Sequence, residues 1–228
     1  MTTKEAYKIL EPAHFLKDED LVQPMTPDDT ETRRRIIDFV HEIETARFML
    51  AMSYKDIYLD LVDEKNYGNK FKTEYFKQYY LYSALIWYHN SFDMILQCLW
   101  FKYKLYGDFP LYNDNLETIL RECSINKIRE LLYKNNKDNP ITEFNERNKD
   151  VHDWANRLKH RQYFENNSYL LYAEAFEVVA DGYNSNRTKV HVKLNEIQTR
   201  LLEYHKDLIT LSKELLIPIH DSIQDKFK

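Results

Sequence analysis

The chain has 228 residues, a formal net charge of −5 and only three glycines. Charged residues make up 30% of it and aromatic residues 14%, a mixture that excludes an intrinsically disordered protein. Strand-rich folds need many tight turns, so the scarcity of glycine favours long helices with few connections. The acidic balance gives no general positive field for nucleic acid, so any surface that binds it has to be local.

The first half of the chain predicts two long helices. Residues 1–27 are predicted to form an irregular N-terminal arm with one short helical pattern at Lys4–Leu10. Thr26-Pro27-Asp28-Asp29 then predicts a helix start, since proline suits the first helical turn and acids suit the positive end of the helix dipole. Apolar residues at helical spacing continue to about Lys65. A second helix, from about Thr73 to Tyr106, carries aromatic residues on several faces, which is typical of a central bundle helix or a subunit interface.

The middle of the chain predicts shorter helices. One helical pattern at 115–135 is predicted to break near Cys123-Ser124, so it can also be read as two short helices. The asparagine-rich segment 135–140 predicts a loop. A further helix is predicted from Ile141 to Phe164.

The last part of the chain is less regular. The segment Phe176-Glu177-Val178-Val179 is compatible with either a helical turn or a short strand, and 181–186 predicts a turn. An amphipathic helix is predicted from Val190 to about Leu215, with Pro218 and a short tail after it.

These elements predict an all-α fold, an antiparallel bundle of about four long helices with extra short helices and the N-terminal arm. Residues 28–228 are then a single helical domain. Cys98 and Cys123 have no metal-ligand spacing, and we expect buried thiols in a reducing compartment. No hydrophobic run has the length of a signal peptide core or a membrane span, so a soluble cytoplasmic protein is expected.

The segment Arg147-Asn148-Lys149-Asp150-Val151-His152 combines groups suited to phosphodiester chemistry without a metal. Arginine can hold a phosphate through two hydrogen bonds, and histidine exchanges protons near neutral pH. Asn148 adds an amide that can orient a phosphate oxygen or the imidazole. The segment follows the predicted loop, which would place it near a bundle end and within reach of a substrate.

Residues 147–161 are also locally positive. Arg147, Lys149, Arg157, Lys159 and Arg161 stand against Asp150 and Asp153, which leaves a balance of +3. The spacing i, i+4, i+8 predicts that His152, Asn156 and His160 line one helix face, with Lys159 beside them. A cationic face of this kind attracts a polyanion. The same helix predicts a surface ion pair between Asp153 and Arg157 and buried positions for Trp154 and Leu158.

Spacing alone does not identify a site, because the arrangement Arg-x4–6-His occurs elsewhere in the chain. Arg34 and Arg35 precede His41, and Arg200 precedes His205, at matching distances. We interpret those matches as solvated helix faces, and the match at 147–152 can likewise be accidental. A metal site on His152 and His160 is a further alternative, but no other residues complete four ligands. Asp93, set among apolar residues, either needs a partner or faces solvent.

The motif residues resemble the HEPN superfamily, whose mark is Arg-x4–6-His with a polar residue after the arginine. Arg147, Asn148 and His152 match those three positions. The segment Asn90-Ser91-Phe92-Asp93 is similar to the preceding core helix of several bacterial members, and 156–161 resembles an extension found in some bacterial branches.

The resemblance implies a helical bundle that dimerises so that two motifs meet in a composite site. Catalytic members are metal-independent RNA endonucleases, often toxins or antiviral effectors, and need no cofactor. His152 would then be the acid–base group, Arg147 would stabilise the developing charge, and Asn148 would orient. Asn156, Lys159, His160 and Arg161 would bind the substrate.

Two other readings remain open. Many members of the superfamily keep the fold without nuclease activity, which predicts a dimeric module that binds nucleotide, RNA or a partner protein, such as a cognate antitoxin. In the other reading the motif is an accident within a structural bundle.

Overall fold

A computed structural model describes residues 1–16, 26–55, 69–107, 111, 115–159, 175–178 and 190–225, with only the backbone for 69–75, 175–178 and 190–193. Within these ranges the chain is an all-α helical bundle that carries one small antiparallel ribbon. The helices are α1 (Thr3–Ile9), α2 (Pro27–Met52), α3 (Asn69–Lys102), α4 (Leu116–Glu122), α5 (Ile125–Leu131), α6 (Pro140–Arg147), α7 (Lys149–Lys159) and α8 (Leu194–Gln224); the strands are β1 (Ala175–Val178) and β2 (Val190–Lys193).

The described residues contain three long helices, α2, α3 and α8, of 26, 34 and 31 residues. The prediction of a fourth long helix from Ile141 to Phe164 is wrong over the residues that the structure describes. It is divided at Asn148 into α6 and α7. Asn148 leaves the helical region, with φ −108° and ψ 19°, while its N–H still bonds to the Phe144 carbonyl. The motif therefore spans a helix break.

The predicted start of the last helix, at Val190, is also wrong. Val190–Lys193 forms β2, which pairs antiparallel with β1, so the strand alternative for Phe176-Glu177-Val178 is confirmed. Helix α8 begins at Leu194 and continues through Pro218 instead of ending before it. The turn predicted at 181–186 lies outside the described residues.

Other local predictions are confirmed. The break near Cys123-Ser124 separates α4 from α5, and the Ser124 hydroxyl caps α5 by accepting from the Lys127 N–H. The helical pattern near the start of the chain forms α1, where Thr2 and Glu5 cap each other's backbone. Helix α2 ends at Met52, and the remainder of its predicted length lies mostly outside the described residues.

The chain divides into two compact units. The first comprises Met1–Glu11, Thr45–His89 and Lys149–Lys206; the second comprises Pro12–Glu44, Asn90–Asn148 and Asp207–Lys228. The largest fully buried side chains of the first unit are Leu10, Leu50, Leu81, Leu85, Tyr88 and Tyr204, and those of the second are Phe39, Ile43, Ile95, Trp100 and Phe101. Burial of these apolar surfaces is the main driving force for folding in each unit.

Cys98 is fully buried and Cys123 is half-buried, both as thiols. The Cys98 thiol donates to the Thr32 carbonyl over 3.9 Å. Among the described residues, no helix combines the length and apolarity needed to cross a membrane.

Candidate functional site

The Arg147 end of the motif lies in the second unit. Arg147 is the last residue of α6, and its side chain is 66% exposed. Its Nη1 lies 3.4 Å from Oδ1 of Asp207. Exposed ion pairs of this kind contribute little to stability.

Asn148 has a structural position in the same unit. Its side chain is fully buried, and Nδ2 donates to the Phe144 carbonyl at 2.9 Å and to Oδ2 of Asp207 at 3.3 Å. Phe144 in turn stacks on Phe92, with ring centroids 5.0 Å apart. Asn148 therefore holds the end of α6. It also holds the Asp207 carboxylate, which contacts Arg147 as well.

His152 lies in the first unit, on α7, and only 7% of it is exposed. Its ring packs edge to face against His89 of α3, with centroids 5.4 Å apart, and against Tyr204 of α8, at 5.6 Å. Asn156, predicted to share its face, is exposed. His152 and Asn156 are one turn apart on α7, so they lie on the same side of the helix although they differ in burial.

A second imidazole, His89, stands beside His152. It is half-buried, and its Nδ1 lies 3.0 Å from the Nζ of the exposed Lys159. Lys159 is seven positions after His152, close to two full helical turns, so both side chains leave α7 in a similar direction. We name His89, His152 and Lys159 the imidazole cluster. His160 and Arg161 lie outside the described residues.

His89 was missed by the sequence reasoning, and its contact with His152 could not have been read from the chain. It is far from the motif in sequence and matches no local pattern. Its only signal is that it lies next to Asn90-Ser91-Phe92-Asp93, the segment that is similar to the preceding core helix of several bacterial HEPN members.

The match at Arg200–His205 is not a solvated face, so that prediction is wrong. His205 is fully buried, with Nδ1 3.0 Å from the Tyr88 hydroxyl and Nε2 2.8 Å from the Glu11 carbonyl. The carbonyl can only accept, so Nε2 of His205 carries a hydrogen and donates it to Glu11. Arg200 binds both carboxylate oxygens of Asp150, at 2.8 and 3.1 Å. Both residues hold the first unit together.

The match at Arg34–His41 does lie on a solvated face. The Arg34 side chain is 62% exposed and His41 is exposed. Arg35, the other arginine upstream of His41, has a side chain only 11% exposed and pairs with Asp38 at 3.2 Å.

A groove of about 540 Å³ lies in the first unit between α7 and α8. It is lined by Asp150, Trp154, Asn195, Glu196, Thr199, Arg200 and Glu203. Three carboxylates against one guanidinium give this groove a negative balance, which disfavours a polyanion. Trp154, predicted to be in the core, is half-buried and lines this groove, whereas Leu158 is buried as predicted.

Two of the cations of the motif region, Arg147 and Lys149, form ion pairs with carboxylates. Asp153 pairs with Lys149, not with Arg157 as predicted.

Asp93, whose placement the sequence left open, is half-buried in the second unit. Among the described residues, no group of three or more histidine, cysteine or acidic side chains is arranged to hold a metal ion.

These observations describe an α-helical protein. One unit carries a histidine–histidine–lysine cluster, and the other carries an exposed arginine beside a buried amide. No protein-family model matches the chain, and neither a curated protein nor a solved structure is significantly similar to it. Membership of the HEPN superfamily therefore stays a prediction from the motif.

Proposed function

We propose that this protein is a metal-independent RNA endonuclease of the HEPN type, acting as a homodimer. The observation that supports the proposal is the contact between the motif histidine and a second imidazole, with an exposed ammonium group hydrogen-bonded to it. A general acid or base works over a hydrogen bond of about 3 Å, and the ring centroids of the two imidazoles are 5.4 Å apart.

The proposed reaction is transesterification within the RNA strand. The ribose 2′-oxygen attacks the neighbouring phosphorus while a base removes its proton, and the bond to the 5′-oxygen breaks as that oxygen receives a proton. The products are a 2′,3′-cyclic phosphate and a 5′-hydroxyl. His152 is the acid–base group taken from the motif, and Arg147 offsets charge on the phosphorane.

Asn148 supports this chemistry indirectly. Its buried amide holds the Asp207 carboxylate, which contacts the Arg147 guanidinium. The roles in holding substrate that are assigned to Asn156, Lys159, His160 and Arg161 come from the resemblance alone. The composite dimer site and a place in toxin or phage-defence systems come from it too.

The decisive experiment is RNA cleavage in EDTA. The purified chain should cut single-stranded RNA and leave 2′,3′-cyclic phosphate ends. His152→Asn should lower the rate by about 100-fold or more, the usual contribution of a general acid–base group. His41→Asn is the matched control, because His41 is the histidine of another Arg–His match but is exposed.

Arg147 has an equally close control. Arg147→Met should lower the rate, while Arg34→Met should not, although the two side chains are 66% and 62% exposed and each pairs with a carboxylate. Circular dichroism shows whether each variant is folded. Equal cleavage by the wild type and a folded His152→Asn protein would exclude the nuclease mechanism.

A second candidate is a non-catalytic dimeric module that binds nucleotide, RNA or a partner protein. It is favoured by the structural contacts of Asn148 and by exposed tyrosines on and just after α3, namely Tyr79 at 55% and Tyr103 at 50%. Such surfaces suit association because tyrosine combines an apolar ring with a polar tip. Light scattering should then give twice the mass of the chain without any cleavage, and a stable monomer would contradict the dimer in both candidates.

A further inference from the structure

Helix α8 carries a buried apolar stripe within the first unit, and Tyr204 belongs to it. Ile197, Leu201 and Tyr204 follow the i, i+4, i+7 spacing of a buried helix face, and all three are fully buried. A side chain without exposed surface makes no contact with a substrate. Tyr204 can therefore influence chemistry only through the residues against which it packs.

The ring of Tyr204 packs against the motif histidine. The centroids of the Tyr204 and His152 rings are 5.6 Å apart, and their planes meet at 73°. His152 also meets the His89 ring, at 5.4 Å and 82°. Both contacts are edge to face, which is an arrangement that aromatic rings prefer. The His152 imidazole of α7 is therefore packed between rings that come from two other helices, α3 and α8.

Tyr204 is itself supported by buried neighbours. Its ring packs on Tyr88 of α3, with centroids 5.6 Å apart, and its hydroxyl lies 3.5 Å from the Tyr88 carbonyl. The Tyr88 hydroxyl in turn lies 3.0 Å from Nδ1 of His205, whose Nε2 donates to the Glu11 carbonyl. Tyr88 and His205 are fully buried as well. A ring packed in this way has little freedom to change its rotamer.

We infer that Tyr204 is a positioning residue, which holds the His152 imidazole in the orientation in which it exchanges protons. The inference rests on the proposed function. A general acid or base must hold its nitrogen within hydrogen-bond reach of the reacting oxygen, and a small misplacement lowers the rate steeply. Only 7% of His152 is exposed, so the orientation of the ring decides which of its atoms a phosphodiester can meet.

The first measurement separates the rate of cleavage from the affinity for RNA. Tyr204→Leu removes the ring that meets His152 and keeps an apolar side chain in the core. It should lower kcat by about 10- to 100-fold, because a misplacement of about 1 Å can cost about 100-fold in rate. KM should not change, since Tyr204 does not touch the RNA. Tyr204→Phe keeps the ring and removes only the hydroxyl, so it should retain kcat.

Phe39→Leu is the matched control for the loss of a buried ring. Phe39 is also fully buried, but it belongs to the second unit, so its replacement should leave kcat unchanged. Circular dichroism and thermal melting show whether each variant is folded. If Tyr204→Leu is unfolded, Tyr204→Met replaces it, because methionine is longer and adapts to irregular gaps in a core.

The second measurement reports the orientation of the imidazole independently of cleavage. Three-bond couplings from Cγ of His152 to its backbone nitrogen and carbonyl carbon distinguish one staggered χ1 rotamer from an average over several. The signals of His152 are assigned by their loss in His152→Asn. The wild type and Tyr204→Phe should give the couplings of one rotamer, whereas Tyr204→Leu should give averaged couplings.

The outcomes distinguish this inference from the nuclease proposal. A lower kcat and averaged couplings in Tyr204→Leu, neither of them seen in Tyr204→Phe, support the positioning role. Cleavage at the wild-type rate by a folded Tyr204→Leu protein overturns that role and leaves the nuclease standing. Absence of cleavage by the wild type contradicts the nuclease, and averaged couplings in Tyr204→Leu then still support the hold of Tyr204 on the imidazole. A single His152 rotamer in Tyr204→Leu overturns the positioning role at any rate of cleavage.

Discussion

The buried side-chain amide of Asn148 donates hydrogen bonds to two other residues. Its Nδ2 donates to the Phe144 carbonyl at the end of α6 and to the Asp207 carboxylate. A buried polar group that loses its partners costs more than the hydrogen bond contributes when formed. The polar residue after the motif arginine is thus explained by packing, whether or not the chain is an enzyme.

Asn148→Ala should destabilise the protein by about 1–3 kcal/mol, because the Phe144 carbonyl and Asp207 both lose a donor. Asn148→Asp should cost more, about 3–5 kcal/mol, since it places a carboxylate against a carbonyl and another carboxylate. Urea denaturation measures both free energies. If Asn148→Asp is as stable as Asn148→Ala at neutral pH, the amide does not donate to Asp207.

At the same scale, the limits of sequence reasoning are clear from His152. The pattern located the residue and the chemistry of its side chain, but helical spacing could not say which side of α7 faces the core. His152 proved to be buried and Asn156 exposed. The partners of His152 come from α3 and α8, and no local pattern encodes such distant contacts.

Helix α6 depends on its first turn. Asn139 is almost fully buried, its Oδ1 accepts from the Thr142 N–H at 2.9 Å, and Pro140 occupies the first helical turn. An eight-residue helix is too short to be stable alone, so capping and packing must hold it. Because Arg147 ends this helix, the position of the guanidinium depends on the cap.

Asn139→Ala should lower the free energy of unfolding by about 1–2 kcal/mol, the upper part of the range for helix caps, because the site is buried. Ser124→Ala is the matched control, since Ser124 caps α5 at an exposed site over 3.3 Å and should cost less. Chemical denaturation compares the two. A larger loss for Ser124→Ala would contradict the importance assigned to the α6 cap.

At the scale of elements, prediction succeeded where the signal was local and failed where it was ambiguous. Ser124 marked the start of α5 because a serine cap is a feature of neighbouring residues. The sequence predicts a helix from Val190, but Val190–Lys193 pairs with β1 as a strand, and no local pattern shows that pairing. The sequence predicts that the last helix ends before Pro218, but α8 continues past it. Packing of a long helix can outweigh the roughly 3 kcal/mol that an interior proline costs.

In both units, burial raises the pKa of thiol and tyrosine hydroxyl groups. The pKa of the Cys123 thiol is raised from its ordinary 9.0 to about 12, chiefly by burial and also by the nearby Asp93 carboxylate. In the other unit, burial raises the pKa of Tyr54 from 10.0 to about 12. The pKa of the Cys98 thiol is also raised, first by burial.

These shifts predict alkaline instability. A folded pKa above the unfolded one means that the folded state holds the proton more tightly, so this stabilisation is complete below about pH 9 and disappears as the pH rises toward 12. The urea midpoint should therefore fall over that interval. Cys123→Ala should reduce the size of the fall, and a midpoint independent of pH there would contradict the burial of these groups.

The all-α fold class was predictable because glycine is scarce along the sequence and long apolar periodicities recur in it. The imidazole cluster was not, because it requires side chains from helices that are far apart in sequence. His89 shows this most directly, since its contacts with His152 and Lys159 exist only once α3 and α7 have packed.

The hydrogen bond between His205 and the Glu11 carbonyl joins residues 194 positions apart. Arg47 also bonds to carbonyls of the first segment, those of Tyr7 and Leu10. A ribosome adds about 5–20 residues per second, so Glu11 is made roughly 10–40 s before the histidine that it binds. The first unit therefore cannot complete its core until His205 has been synthesised. During that interval the nascent helices expose apolar surface, and chaperones have their opportunity to bind the chain.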